Sequence, residues 1–189
     1  MFDFVRLGTV LARATLGAKV SLLDEVQTSF LVTPWDSDVN RHLNNGRYLQ
    51  VMDVGRFDLI ARSGLGPELA RRRWVPIVGG VHMEFLRELP LFARFTVATR
   101  VVGWDNRWFY LEQRFLVGGR LAAIGRVQAQ FRGPKGRIAP VEVLAELGPV
   151  PATPTLPEAF VQAFATRTPR ERAFVLDTDD LPGLGSFAA

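Results

Sequence analysis

Asp36-Ser37-Asp38-Val39-Asn40-Arg41-His42-Leu43-Asn44-Asn45 is the stretch from which the fold is read. It is polar and stands between two segments of different periodicity. Before it, Val26–Thr33 alternates, with Val26, Thr28, Phe30 and Val32 on one side and Gln27, Ser29, Leu31 and Thr33 on the other. Such alternation predicts a strand, and Pro34 ends it. After it, Gly46–Arg62 takes up helical spacing: Tyr48, Met52, Gly55 and Leu59 fall at i, i+4, i+7 and i+11, flanked by Leu49, Val51 and Ile60. Gly55 costs this helix about 1 kcal/mol relative to alanine. Close packing of the helix backbone onto a sheet would offset that cost. Ser63-Gly64-Leu65-Gly66-Pro67 stops the helix.

Four strand-like runs follow. Val75–Leu86 sets Val81, Met83 and Phe85 on one face. Ala93–Val102, Arg107–Val117 and Leu121–Phe131 each alternate. Gly118-Gly119 supplies the positive φ angles of a tight hairpin, and Asp105-Asn106 turns the pair before it, so the last three runs predict an antiparallel meander. Gly133-Pro134-Lys135-Gly136 is a further turn. The fold class is therefore α+β: a curled antiparallel five-stranded sheet wrapped around one long helix. Trp108, Tyr110 and Ile124 lie on the other sheet face, which predicts a partner on that side or at the edge.

The domain organisation is a helical segment at 1–24, the main domain at 25–148 and a proline-rich extension at 149–189. Met1–Leu23 carries Asp3, Arg6, Arg13 and Lys19, which break it into apolar runs too short for a membrane span or a secretory leader. It reads as a helix packed on the domain, with peripheral membrane contact through residues 1–23 as the other use of such a segment. Pro149, Pro151, Pro154 and Pro157 make a stiff linker, Glu158–Arg167 suits a short helix, and Asp177–Ala189 reads as loose.

Composition narrows the chemistry. The chain has 189 residues, enough for one domain with a full core. It lacks cysteine, which excludes disulfides, zinc–thiolate sites and a cysteine nucleophile. His42 and His82 are its two histidines, too few for a histidine-rich metal site. The net charge is +4, but the arginines are scattered, so no nucleic-acid partner is expected. A nucleotide-bearing small molecule suits the same charge. Candidate contacts for its phosphates are Arg132, Lys135 and Arg137, or Arg71-Arg72-Arg73, although such clusters are most often solvated charge.

The order strand, long helix, four antiparallel strands, with the Asp-x-Asp-x-Asn-x-His-x-Asn-Asn run before the helix, resembles the hotdog-fold thioesterase superfamily. It looks like the 4-hydroxybenzoyl-CoA thioesterase branch and the acyl-ACP thioesterases, and overall like the small THEM6-like proteins. The resemblance covers about residues 25–148. It implies hydrolysis of an acyl-CoA or acyl-ACP thioester to free acid and thiol, with no cofactor beyond the CoA or carrier protein of the substrate. Asp38 matches the catalytic carboxylate, Asn40 and His42 its companions, and a backbone N–H at Asn45 or Gly46 the oxyanion hole. A homodimer or tetramer is also implied. The expected location is cytoplasmic, with membrane association as the alternative.

The chemistry agrees with these residue types. A thioester carbonyl under attack develops negative charge on oxygen, which free N–H groups at a helix N-terminus are suited to hold. A carboxylate acts either as general base for water or as the nucleophile itself. Caps and turns use the same residues, so Asp36, Asp38, Asn40 and Asn44 also have a purely structural reading, the better one for Asp36. Asp53 on the helix is a reserve carboxylate, Asp58 an expected surface partner of Arg62, and His82 an expected structural histidine. Two other functions remain: a non-catalytic acyl-CoA-binding sensor or scaffold, and a hydratase, whose local pattern His42–Gly46 does not match.

Overall fold

The computed structural model describes residues 4–17 and 19–165. Helix α1 (Phe4–Leu16) precedes strand β1 (Val26–Leu31). A 3-10 turn at Pro34–Asp36 and the polar loop lead into the long helix α2 (Asn45–Arg62), then the short α3 (Leu65–Arg72). Strands β2 (Val75–Phe85), β3 (Arg94–Trp104), β4 (Phe109–Val117), β5 (Arg120–Gly133) and β6 (Gly136–Ile138) follow, then α4 (Pro140–Ala145) and α5 (Glu158–Ala165). The sheet order is β1-β3-β4-β5-β2, all antiparallel, with β6 paired to the end of β5.

The meander β3–β4–β5 forms as the sequence predicts, and Gly118 and Gly119 both adopt positive φ in its hairpin. The sheet holds a sixth strand beyond the expected five, but β6 is three residues long, too short for a period to show. Helix α3 begins inside the segment whose glycines and proline predict only a stop. Gly64, at φ 78°, ends one helical direction, and Leu65 and Leu69, buried at i and i+4, start another on the core. In α4, Pro140 opens the first turn and Val143 and Leu144 are buried.

One face of α2 makes the core. Val51, Met52, Val54 and Leu59 are buried together with Phe95, Val97, Phe109, Phe115 and Val127 from the sheet. Gly55 lies where the two layers are closest. A Cβ there would sit 2.9 Å from Thr99 Oγ1 and 3.1 Å from Gln113 Nε2. Gln113 is fully buried, and its Nε2 donates to the Met52 carbonyl and to Thr99 Oγ1. The missing side chain thus allows a sheet amide to reach the helix backbone.

The aromatic part of the outer sheet face, where the sequence predicted a partner, is covered by the chain itself. Phe160 of α5 is buried against Tyr110, with Trp108 and Leu156 in the same cluster. Thr153 of the linker clamps β3 by accepting from the Trp104 N–H and donating to its carbonyl. Helix α1 packs along α2 through Val10 and Ala14. Residues beyond 165, including the end of the predicted 158–167 helix and the 177–189 tail, lie outside the described residues.

Gly55→Ala is expected to lower the unfolding free energy by about 1–3 kcal/mol through overpacking, although alanine is the better helix former by about 1 kcal/mol. Urea denaturation checks this, and an unchanged or raised midpoint would mean the layers are not in close contact there.

Candidate active site

The decapeptide folds as a tight, stitched loop. Asp38 N–H donates to the His42 carbonyl, Arg41 N–H to the Asp38 carbonyl, and Asn44 N–H to the Asp36 carbonyl. Arg41 takes a left-handed φ of 62° to close the turn. The segment after β2 holds the loop from outside, with Leu43 N–H donating to the Leu89 carbonyl and Leu91 N–H to the Arg41 carbonyl.

The two aspartates have opposite surroundings. Asp36 is buried, and its carboxylate accepts from Thr33 N–H at 2.9 Å, Thr33 Oγ1 at 2.6 Å and both terminal nitrogens of Arg6 at 3.0 and 2.5 Å. The same Arg6 also donates to the Leu31 carbonyl, so α1 is fastened to the base of the loop. Burial alone would raise the Asp36 carboxyl, but the bonds from Arg6 and Thr33 outweigh it and hold it below the usual carboxylate range. Asp36 is structural, as its sequence context suggested.

Asp38 is only half-buried. One carboxylate oxygen accepts the Asn40 N–H at 2.9 Å in an Asx turn. The other lies 3.4 Å from His42 Nδ1. The structure therefore brings Asp38 and His42 together. Asn40 meets Asp38 through its backbone, and its side chain is exposed.

At the start of α2, Asn44 is the cap, and its Oδ1 accepts the Gly46 N–H at 2.9 Å. Of the two N–H groups expected to serve as an oxyanion hole, Gly46 is thus occupied by the cap. Asn45 N–H is among the amides an α-helix leaves without an internal acceptor, and no described residue is bonded to it. Asn45 and His42 line one hollow of about 240 Å³, together with Tyr48, Phe85, Leu86 and Glu88. Tyr48 is wedged between Phe85 and Phe115, each ring centroid 4.9 Å away. Burial, with the Glu88 charge beside it, pushes its hydroxyl up to about 12, so it remains a proton donor at neutral pH. The sequence placed Tyr48 in the helix core stripe, and no local signal puts the end of β2 beside it.

The remaining candidates lie elsewhere. Asp53 is two turns into α2, about 12 Å from Asn45 at helical rise, and is paired with Arg56, whose other nitrogen donates to Gln113. Asp58 is not the surface residue its i, i+4 spacing to Arg62 predicts: it is buried, accepts from Thr28 Oγ1 at 2.6 Å, and burial raises its carboxyl. His82 is exposed on β2, 3.9 Å from Glu84, and is not a buried structural histidine. Arg71 and Arg72 are ion-paired with Glu146. Arg132, Lys135 and Arg137 sit on the β5–β6 hairpin. Ten residues of strand separate Arg132 from Ala122, whose carbonyl accepts the Leu86 N–H at the hollow, a span of about 30 Å. Within one chain this cluster does not reach Asp38. Among the described residues no group of metal-ligating side chains is assembled.

Residues 32–164, which contain this loop, α2 and the meander, match the family model described as the thioesterase-like superfamily. The chain belongs to that superfamily. Protein THEM6 of Xenopus laevis is 36% identical over 114 residues, covering 60% of this chain and 55% of the relative. Thioesterase lcsJ of Purpureocillium lilacinum is 29% identical over 150 residues, covering 65% and 48%. The chain thus spans about half the length of these curated relatives. The solved structure of SAV2348 from Staphylococcus aureus, described as in complex with CoA, superposes with a TM-score of 0.56 at 18% identity over 75% of this chain and 94% of that one. At such identity the likeness shows the shared hotdog fold.

The Asp36 clasp has a pH signature. Its folded-state carboxyl lies below the unfolded value of about 3.9, so its contribution is complete above that pH and is lost as pH falls through the folded value. Because Arg6 keeps some solvent access, Asp36→Asn is expected to cost about 3 kcal/mol at pH 7. The gap to wild type should shrink below about pH 4. Thermal melts of both proteins from pH 7 to pH 3 check this, and a gap that stays constant would show that the charge is not what holds the clasp.

Proposed function

We propose that this chain hydrolyses acyl-CoA thioesters, with Asp38 supplying the carboxylate, His42 positioning it, and Asn45 N–H receiving the oxyanion. The observation that carries the reading is the 3.4 Å Asp38–His42 pair in the turn that leads into the open N-terminus of α2. Two routes suit that arrangement. In one, Asp38 takes a proton from water as the water oxygen bonds to the carbonyl carbon. The C–S bond then breaks, and the thiolate leaves and takes up a proton. In the other, an Asp38 oxygen bonds to the carbonyl carbon and expels the thiolate, leaving an anhydride that water splits. Both pass through a negatively charged carbonyl oxygen, which the Asn45 N–H and the dipole of α2 favour. Asn40, in the same turn, is suited to hold the water.

An apolar hollow between α2 and β2, lined by Phe57, Ile60, Ile77, Val78 and Phe109 with the Asp53–Arg56 pair at its wall, suits the acyl tail. For the nucleotide end we propose a two-fold homodimer. β2 pairs with β5 on one side only, and it exposes Val75, Val78, Val81 and Phe85. Antiparallel pairing of two β2 strands would set the Val75 end of one chain beside the Phe85 end of the other. Since Arg132 is the neighbour of Val75, the partner's Arg132, Lys135 and Arg137 would then stand about two strand spacings, roughly 10 Å, from the hollow. Val81→Arg is expected to convert a dimer to a monomer in analytical ultracentrifugation and to raise KM for acyl-CoA. A wild-type monomer would remove the dimer and leave the hydrolase reading standing.

Thiol release from short, medium, long and aromatic acyl-CoAs tests the chemistry. One class should be hydrolysed, and folded Asp38→Asn should lose on the order of 10²–10⁴-fold in kcat. Full activity in Asp38→Asn would move the role to Asp53. Tight binding of acyl-CoA without turnover by wild type would make the chain a sensor.

A further inference from the structure

Several large apolar side chains stand in solvent around the decapeptide. Trp35 is 84% exposed, Val39 96% and Phe92 63%. They belong to one corner of the molecule. Phe92 N–H donates to the Val32 carbonyl and Leu91 N–H to the Arg41 carbonyl, so the segment carrying Phe92 lies between the Trp35 turn and the Val39 turn. Val5, next to the Arg6 that is bonded to Asp36 and Leu31, is exposed at the same corner, as is Leu86 on the rim of the hollow.

Core packing does not account for these residues. Phe92 holds a left-handed φ of 65°, a costly conformation for a bulky residue, and it remains mostly exposed. Exposed charge at the corner is mostly of one sign. In segments 31–47 and 85–94 the exposed charged residues are Arg41, Arg87, Arg94 and Glu88, and the three arginines form no ion pair among the described residues. Asp36 is neutralised by Arg6, and Asp38 faces His42.

We propose that this corner docks on an anionic lipid bilayer, with Trp35, Val39 and Phe92 entering the headgroup–acyl boundary and Arg41, Arg87 and Arg94 meeting the lipid phosphates. Separate projecting tips favour a bilayer over a protein partner. A protein interface needs shape complementarity and a packed centre, whereas a lipid boundary receives each apolar tip independently. Tryptophan suits this boundary, and arginines beside it add attraction of about fivefold each near an anionic surface. The membrane-facing part is thus the loop corner. The apolar face of α1, with Val10 and Ala14, is turned into the domain. Docking stands on the surface alone. Its consequence, that acyl substrates enter from the bilayer at the hollow lined by His42 and Asn45, rests on the hydrolase reading.

The test needs no turnover. Trp35 is the one exposed tryptophan, with Trp74, Trp104 and Trp108 buried, so a blue shift of emission and quenching by bromine-labelled acyl chains report on this corner. The full chain is mixed with vesicles of phosphatidylcholine containing phosphatidylserine, and with phosphatidylcholine alone. Shift, quenching and co-sedimentation are expected, stronger on the anionic vesicles. Trp35→Ser/Val39→Ser/Phe92→Ser, with an unchanged circular dichroism spectrum, should lose on the order of 100-fold in partitioning. Arg41→Glu/Arg94→Glu should lose the anionic preference. An unshifted, unquenched wild type overturns the proposal, and so does binding that survives the triple substitution. Vesicles that leave Trp35 unchanged, while an acidic acyl carrier protein or higher protein concentration shields it, would overturn it in favour of a protein interface. Should the triple variant not fold, quenching in wild type decides alone.

Discussion

Asp36 is a carboxylate taken out of water, and the loop around it is built to hold that charge. Its oxygens are met by a backbone N–H, a hydroxyl and the guanidinium of Arg6, and its own carbonyl accepts the Asn44 N–H at the entry to α2. An uncompensated buried charge is costly, so these partners move as a unit with it. Arg6 extends the unit to α1 and β1, and Asn44 extends it to the helix cap. The geometry of the adjoining turn, with Asp38 and His42, follows from that anchorage.

The two aspartates, two residues apart, are given opposite environments by one loop. Asp36 has every acceptor filled and no route to a substrate. Asp38 keeps a carboxylate edge in the half-exposed turn, held by one backbone N–H and by His42. The helix end shows the same division. Asn44 closes the Gly46 amide, and Asn45 N–H is the donor left beside the hollow. His42, which faces Asp38, and Asn45 both line that hollow.

Much of this was legible in the sequence because it is local. Alternation in Val26–Thr33, the helical stripe from Tyr48 to Leu59, the Gly118-Gly119 hairpin and the spacing of Asp38 and His42 each lie within a dozen residues. Gly55 was readable as a close approach, and the structure adds that Gln113 is what approaches. What stayed hidden depends on distant pairs. Asp58 reads as a surface residue at i, i+4 from Arg62, and only the pairing of α2 with β1 puts Thr28 against it. Arg6 lies thirty positions from Asp36 in a segment that reads as an ordinary amphipathic helix. The aromatic outer face of β4 suggested a partner; the short helix after the proline-rich linker was legible, but not that it folds back as α5 to cover that face.

The decisive geometry is where a thioester carbonyl comes to rest. A crystal structure with a non-hydrolysable acyl-CoA, its sulfur ester replaced by a ketone, would show this directly. The carbonyl oxygen is expected at hydrogen-bond distance, about 3 Å, from Asn45 N, with an Asp38 oxygen facing the carbonyl carbon directly or through one water. A carbonyl bound beside Asp53 and Arg56, or one that leaves Asn45 N–H unpaired, would contradict the account.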